Sequence, residues 1–173
     1  MSAPLAVPFV DFRAHVAAHR RELDKAVARV LDSGWFILGP EGEALELELA
    51  RALGAREAVA VGNGTDALAL GLRALGVLPG DEVITSGVSA AFTGLAVLQA
   101  GARPVFVDVD PGTLNLDPER LAGAITPRTK AIVPVHLYGH PANMAPILAL
   151  ARERGIAVLE DDLFGRLKGF QDR

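Results

Sequence analysis

Apolar residues recur at helical spacing from Arg13 to Leu31, with Val16, Leu23, Val27, Val30 and Leu31 set among charged neighbours, which predicts a helix. Ser33-Gly34 supplies its stop. The run Trp35-Phe36-Ile37-Leu38 then leads into Gly39-Pro40 and reads as a connector whose large side chains pack on the main body or on a partner. A second helix is predicted from Glu41 to Leu53, closed by Gly54.

Beyond Gly54 short, continuous apolar runs alternate with amphipathic stretches. Strands are predicted at Ala58 to Val61, Glu82 to Thr85, Pro104 to Val107, Lys130 to Val135 and Ile156 to Leu159. Helices are predicted at Gly64 to Leu75, Ala90 to Ala100, Pro118 to Ala124 and Met144 to Arg154. Strands without polar alternation are buried on both faces, so the fold class is α/β, a mostly parallel sheet with helices on both faces. Ligands of such sheets bind at the carboxyl ends of the strands, which directs attention to the residues just after each strand.

Composition narrows the options. Half of the 173 residues are hydrophobic, enough for one domain with a real core. A net charge of −4 argues against nucleic-acid binding through a basic face. The absence of cysteine removes disulfides and thiolate metal sites. The start MSAPLAVPFVDF has no basic segment, and Pro4, Pro8 and Asp11 interrupt its apolar stretch, so no signal peptide is read. No run approaches the roughly 20 apolar residues of a membrane span. A cytoplasmic protein with no membrane partner is expected.

After the strand ending at Val61 comes GNGTDALALG, in which Gly62 and Gly64 permit a tight turn and Thr65 and Asp66 open a helix. Free N–H groups and the positive end of the helix dipole suit an anion there, with the Thr65 hydroxyl as a further donor. Gly62, Gly64 and Ala67 also fit a dinucleotide pattern. That reading needs an acidic residue at the end of the second strand, where Thr85-Ser86-Gly87 stands instead. A single phosphate, or a turn with no ligand, remains. After Leu159 comes Glu160-Asp161-Asp162. A carboxylate at that strand end has three uses: to face the ring nitrogen of pyridoxal phosphate and keep it protonated, to hold a magnesium ion, or simply to be solvated. His136 and His140 stand four apart, but Gly139 and Pro141 break any helix that would aim both at one metal. Asp108 and Asp110 precede Pro111-Gly112 and read as a turn, and Asp117 before Pro118 reads as a helix cap, so no metal site is expected.

The order of segments VPFVDF, VLDSGWFILGPEGEALELELA, GNGTDALALGLRALGVLPGDEVIT, AGARPVFVDVDPGTLNLDPERLAGAITPRTKAIVPVHLYGHPANM and AVLED resembles the DegT/DnrJ/EryC1/StrS aminotransferase family from about Val7 to Asp161. The resemblance implies part of the large domain of a fold-type-I, pyridoxal-phosphate-dependent transferase. It further implies a homodimer with interface active sites, and transfer of an amino group from glutamate to a keto group of a nucleotide-linked sugar. Carried over by position, Gly64, Thr65 and the Asp66 backbone hold the cofactor phosphate, and Asp161 faces the pyridine nitrogen. The domains then read as a helical segment over 1–54, an incomplete cofactor-binding α/β domain over 55–161, and a tail over 162–173 without family pattern.

Departures accompany the resemblance. Where the family often places an aromatic residue stacked on the cofactor ring stands Ala90, with Phe92 two positions on. Phe164 stands where the family usually has Gln or His. The family's Schiff-base lysine lies beyond the aspartate, on a loop this sequence does not include. Lys25, Lys130 and Lys168 are the only lysines, and none matches it by position. No catalytic residue is therefore assigned, and the chain is expected to be inactive in transamination as it stands, either as a frameshifted fragment or as a natural short protein. The alternative reading is a non-catalytic regulatory or protein-binding module built on the same fold. Exposed core surface, with poor solubility or association, is expected in either case.

Overall fold

The computed structural model describes residues 11–162, which divide between Ala60 and Val61 into two units taken here in turn.

In the first unit, the Asp11 carboxylate accepts the N–H groups of Arg13 and Ala14 at 3.0 and 3.1 Å and opens α1 (Phe12–Ser33). Gly34 ends it in the left-handed conformation that glycine adopts without a Cβ penalty. The next helix, α2 (Pro40–Leu53), begins with Pro40 in its first turn beside Glu41 and Glu43, which suit the positive end of the dipole, and closes at Gly54. Arg29 joins the helices through two hydrogen bonds to the Glu41 carboxylate, at 2.6 and 2.8 Å. No residue of α1 is buried, and only Ala50 of α2 is. Within this unit Trp35 to Leu38 find no cover. These side chains are 59% to 85% exposed, and the Trp35 indole N–H is used locally, donating to the Ile37 carbonyl.

One predicted element is absent. Ala58 to Val61 forms no strand, although its composition suits one. A strand exists only where a neighbour completes its hydrogen-bond ladder, and no such neighbour lies beside it among the described residues. The Ala60 N–H donates instead to the Glu46 carboxylate at 2.7 Å.

The second unit starts with α3 (Gly64–Ala74), which leads into β1 (Glu82–Ser86). Then come α4 (Ala91–Gln99), β2 (Arg103–Val107), α5 (Pro118–Ala124), β3 (Thr129–Val133), a short 3-10 turn at Leu137–Gly139, α6 (Met144–Arg154) and β4 (Ala157–Val158). The predicted boundaries hold to within about two residues. All pairings are parallel, in the order β2-β1-β3-β4. β1 connects outwards to β2 and β3 connects the opposite way to β4, so the topology switches direction between the central pair β1 and β3.

Alternate residues of the strands feed two cores. On one face Val83, Ala131 and Val133 meet Leu68, Ala69 and Leu72 of α3 and Ala96 and Val97 of α4. On the other, Ile84, Val107 and Ile132 meet Leu121 of α5 and Ile147 and Ala151 of α6. Leu72, Ile84, Leu121, Ile132 and Ile147 are fully buried, each worth roughly 1.5–3 kcal/mol of transfer free energy.

The amino edge of the sheet is closed by charge. Glu82 is 3% exposed and accepts hydrogen bonds from Arg128 at 2.7 and 3.2 Å, with Arg103 at 3.8 Å. The Thr126 hydroxyl donates to its second oxygen. That bond first, and the Arg128 guanidinium next, hold the Glu82 carboxyl below the ordinary carboxylate range.

Candidate functional site

The carboxyl edge is organised around Asp161. The chain leaves β4 and continues beside the extension of β3. There the Asp161 N–H donates to the Pro134 carbonyl at 2.9 Å, and the His136 N–H donates to the Asp161 carbonyl at 3.0 Å. Val135 and Asp161 thus form one further parallel bridge past the ends of both strands. The Asp161 backbone is fixed by the sheet itself.

Its side chain is fixed from another direction. After β1 the chain turns through Gly87 to Ala90 into α4, and the first turn of that helix carries Thr93, which is buried. The Thr93 hydroxyl donates to Asp161 Oδ2 at 2.8 Å, and the Ser89 hydroxyl lies 3.1 Å from Thr93 Oγ1. Among the described residues Asp161 forms no ion pair with Arg, Lys or His.

The start of α3 reaches the same rim. This helix leads into the beginning of β1, and α4 leads from the end of β1 to the beginning of β2, so both run from the carboxyl edge toward the amino edge. Gln99, at the end of α4, donates through its side chain to Asp66 Oδ1 at 3.1 Å, and its carbonyl accepts from the Arg73 guanidinium. Gln99 therefore lies alongside the stretch between Asp66 and Arg73. At a rise of about 1.5 Å per residue in both helices, Thr93 falls level with Gly64-Thr65. Close approach at Gly71 agrees with this arrangement: a Cβ there would stand 3.2 Å from Leu159 Cδ2, two residues before Asp161. The first turn of α3 and the Asp161 carboxylate thus both face the carboxyl edge of the sheet, with Thr93 bonded to the second.

At that first turn the Asn63 side chain is the cap. Its Oδ1 accepts the Asp66 N–H at 2.9 Å, and its amide donates to Asp66 Oδ2 at 2.8 Å. In this structure the Asp66 N–H is met by Asn63 Oδ1. The N–H groups of Gly64 and Thr65 and the Thr65 hydroxyl have no acceptor among the described residues. A Cβ on Gly64 would meet nothing within 4 Å, so the chain is not crowded at this position. Two amide donors and a hydroxyl on a helix start, with a carboxylate on the same rim, fit an anionic tail and a protonated ring nitrogen. This is the donor set pyridoxal phosphate needs.

Other candidates fall away. Both His136 nitrogens serve the fold: Nδ1 accepts the Ala142 N–H at 3.0 Å and Nε2 lies 3.0 Å from Glu160 Oε2. No cluster of three or more metal-ligating side chains occurs among the described residues. Asp110 closes its turn by accepting from Gly112 and Thr113 N–H groups, and the Thr113 backbone bond is the main cause holding its carboxyl below the ordinary range. Asp117 caps α5 as expected. Ala90 is the residue before α4, and Phe92 on the first turn is 61% exposed rather than part of the core. Lys130 lies near the amino end of β3, at the opposite edge of the sheet from this rim, Lys25 lies on α1 in the first unit, and Phe164 and Lys168 lie outside the described residues. Nothing local along the chain singled out Thr93, Ser89 or Asn63. Only the Ser/Thr pair four residues apart at a strand-to-helix turn hinted at them.

Comparison with known proteins places this site in context. A model of the DegT/DnrJ/EryC1/StrS aminotransferase family matches residues 18–162. The chain is 50% identical over 161 residues to a UDP-N-acetyl-3-dehydro-alpha-D-glucosamine 3-aminotransferase of Acidithiobacillus ferrooxidans, covering 93% of this chain and 44% of that protein. It is 48% identical over 155 residues to a dTDP-3-amino-3,4,6-trideoxy-alpha-D-glucose transaminase of Streptomyces venezuelae, covering 90% and 41%. Among solved structures, DesV of S. venezuelae in complex with a ketimine intermediate superposes with a TM-score of 0.87 at 48% identity, over 90% of this chain and 42% of that one. NtdA of Bacillus subtilis, with bound cofactor PMP, gives 0.86 at 40% identity, over 90% and 36%. The chain therefore spans less than half the length of these relatives.

Proposed function

We propose, from the premise that this chain belongs to the DegT/DnrJ/EryC1/StrS aminotransferase family, that it is the cofactor-holding part of a nucleotide-sugar aminotransferase. Pyridoxal phosphate is the cofactor of the family, and when bound it supplies the electron sink through which an amino group is moved. In this reading the N–H groups of Gly64 and Thr65 and the Thr65 hydroxyl grip the phosphate, and the Asp66 N–H joins them when the Asn63 side chain turns away. Asp161 accepts the ring N–H and keeps that nitrogen protonated. The observation that carries the reading is the shared carboxyl edge: two amide donors without an acceptor among the described residues on the first turn of α3, and a carboxylate anchored by the Thr93 hydroxyl at the start of α4.

The substrates proposed are an amino-acid donor, glutamate by family resemblance, and a keto sugar linked to a nucleotide, in the cytoplasm. No lysine of this sequence matches the family's Schiff-base position, so cofactor binding by this chain is proposed to be non-covalent and the chain alone inactive in transamination. Titration with pyridoxal phosphate, followed by its absorbance, tests the site. Thr65→Ala and Asp161→Ala should each weaken binding by at least roughly tenfold, as expected for lost bonds to charged groups. Equal affinity of wild type and both variants would refute the assignment. Borohydride reduction of the mixture should label no lysine, and labelling of Lys168 with turnover would overturn the claim of inactivity.

A homo-oligomer is proposed as well. Val27, Leu31 and Trp35 to Leu38 expose large apolar side chains in the first unit, more than isolated surface residues account for. Light scattering should show association, and a monodisperse monomer would contradict it.

A further inference from the structure

We infer that Thr93 is a positioning residue for the cofactor ring, acting through Asp161, with Ser89 setting the direction of its hydroxyl. The inference rests on the reading of Asp161 given above. Thr93 is 3% exposed, and its oxygen has two neighbours, Asp161 Oδ2 at 2.8 Å and Ser89 Oγ at 3.1 Å. An ionised carboxylate only accepts, and a hydroxyl carries one proton, so Thr93 donates to Asp161 and Ser89 donates to Thr93. The two dipoles point the same way, toward the carboxylate.

The consequence is selective for one oxygen. Oδ2 is occupied by Thr93, and no described residue donates to Oδ1, so the second oxygen is the one presented to a ring N–H. The backbone bonds to Pro134 and His136 fix where Asp161 stands, whereas among the described residues it is Thr93 that fixes how its carboxylate is turned. Because α4 carries Thr93 and also aligns with α3 through Gln99, one helix sets the register between the ring-binding carboxylate and the phosphate-binding turn.

The experiment compares two probes on this chain: pyridoxal phosphate, and its analogue with carbon in place of the ring nitrogen. Thr93→Val keeps the shape and removes the donor, while Thr93→Ser keeps the hydroxyl. Thr93→Val should weaken pyridoxal phosphate by roughly tenfold, leave the analogue within about twofold, and be rescued by Thr93→Ser. Equal loss for both probes would mean a merely structural threonine and would overturn the inference. So would unchanged binding of both. Asp161→Ala separates this failure from a failure of the underlying reading. If it too fails to discriminate between the probes, or if wild type binds neither, Asp161 does not meet the ring nitrogen, and the role of Thr93 falls with it.

Discussion

Two carboxylates stand at opposite edges of one sheet and are treated in opposite ways. Glu82, at the amino edge, is enclosed and answered by cations: Arg128 in two hydrogen bonds and Arg103 nearby. Asp161, at the carboxyl edge, is half-buried and anchored by a neutral hydroxyl, with no cation paired to it among the described residues. The difference separates structure from function. A charge fully met by partners closes an edge and holds three strands in register, but has nothing left to offer a ligand. A charge held in place by a neutral donor keeps most of its field for whatever arrives.

That comparison can be broken by exchanging the roles. The largest effect is expected at Glu82. Glu82→Gln removes the buried carboxylate that Arg128 and Thr126 bond, and thermal unfolding should fall by about 5 °C. Affinity of the folded protein for pyridoxal phosphate should stay unchanged. Asp161→Asn should do the reverse, shifting Tm by no more than about 3 °C while weakening the cofactor by roughly tenfold or more. A variant at either edge that moved both quantities together would erase the distinction.

Acid titration sharpens the same contrast. Because the folded Glu82 carboxyl is held below its unfolded value, its contribution is fully present above the ordinary carboxylate range and is lost as pH falls through the folded value. Denaturant unfolding measured from pH 6 downward should show that loss in wild type and a flatter profile in Glu82→Gln. Smaller effects belong to the rim. Asn63→Ala removes the α3 cap, costs about 1 kcal/mol, and frees the Asp66 N–H, so stability should fall while inorganic phosphate binds no worse. Gly71→Ala places a methyl against Leu159 and should cost about 1 kcal/mol through overpacking, read from urea midpoints.

Much of this was legible before any coordinates. The helix stops at Gly34, Gly54 and Gly155 were marked by the glycine itself, which takes up the left-handed cap each helix needs. Asp117 before Pro118 declared its cap in the same local way. Ala58 to Val61 failed for the opposite reason, since a strand depends on a neighbour that composition does not reveal. The connector at Trp35 is legible only in part: four large apolar residues announce burial, but their sequence does not name what would cover them.

Sequence alone determined the α/β order, the anion-ready turn at Gly64-Thr65, the carboxylate after the last strand and the family, because periodicity, capping and motif order are properties of neighbouring residues. Tertiary structure decided that His136 meets Glu160 across 24 residues of chain and that Thr93 holds Asp161 across 68. Those contacts arise where the chain switches direction between β1 and β3, and a hydrogen bond between side chains so distant in sequence leaves no periodic trace along it.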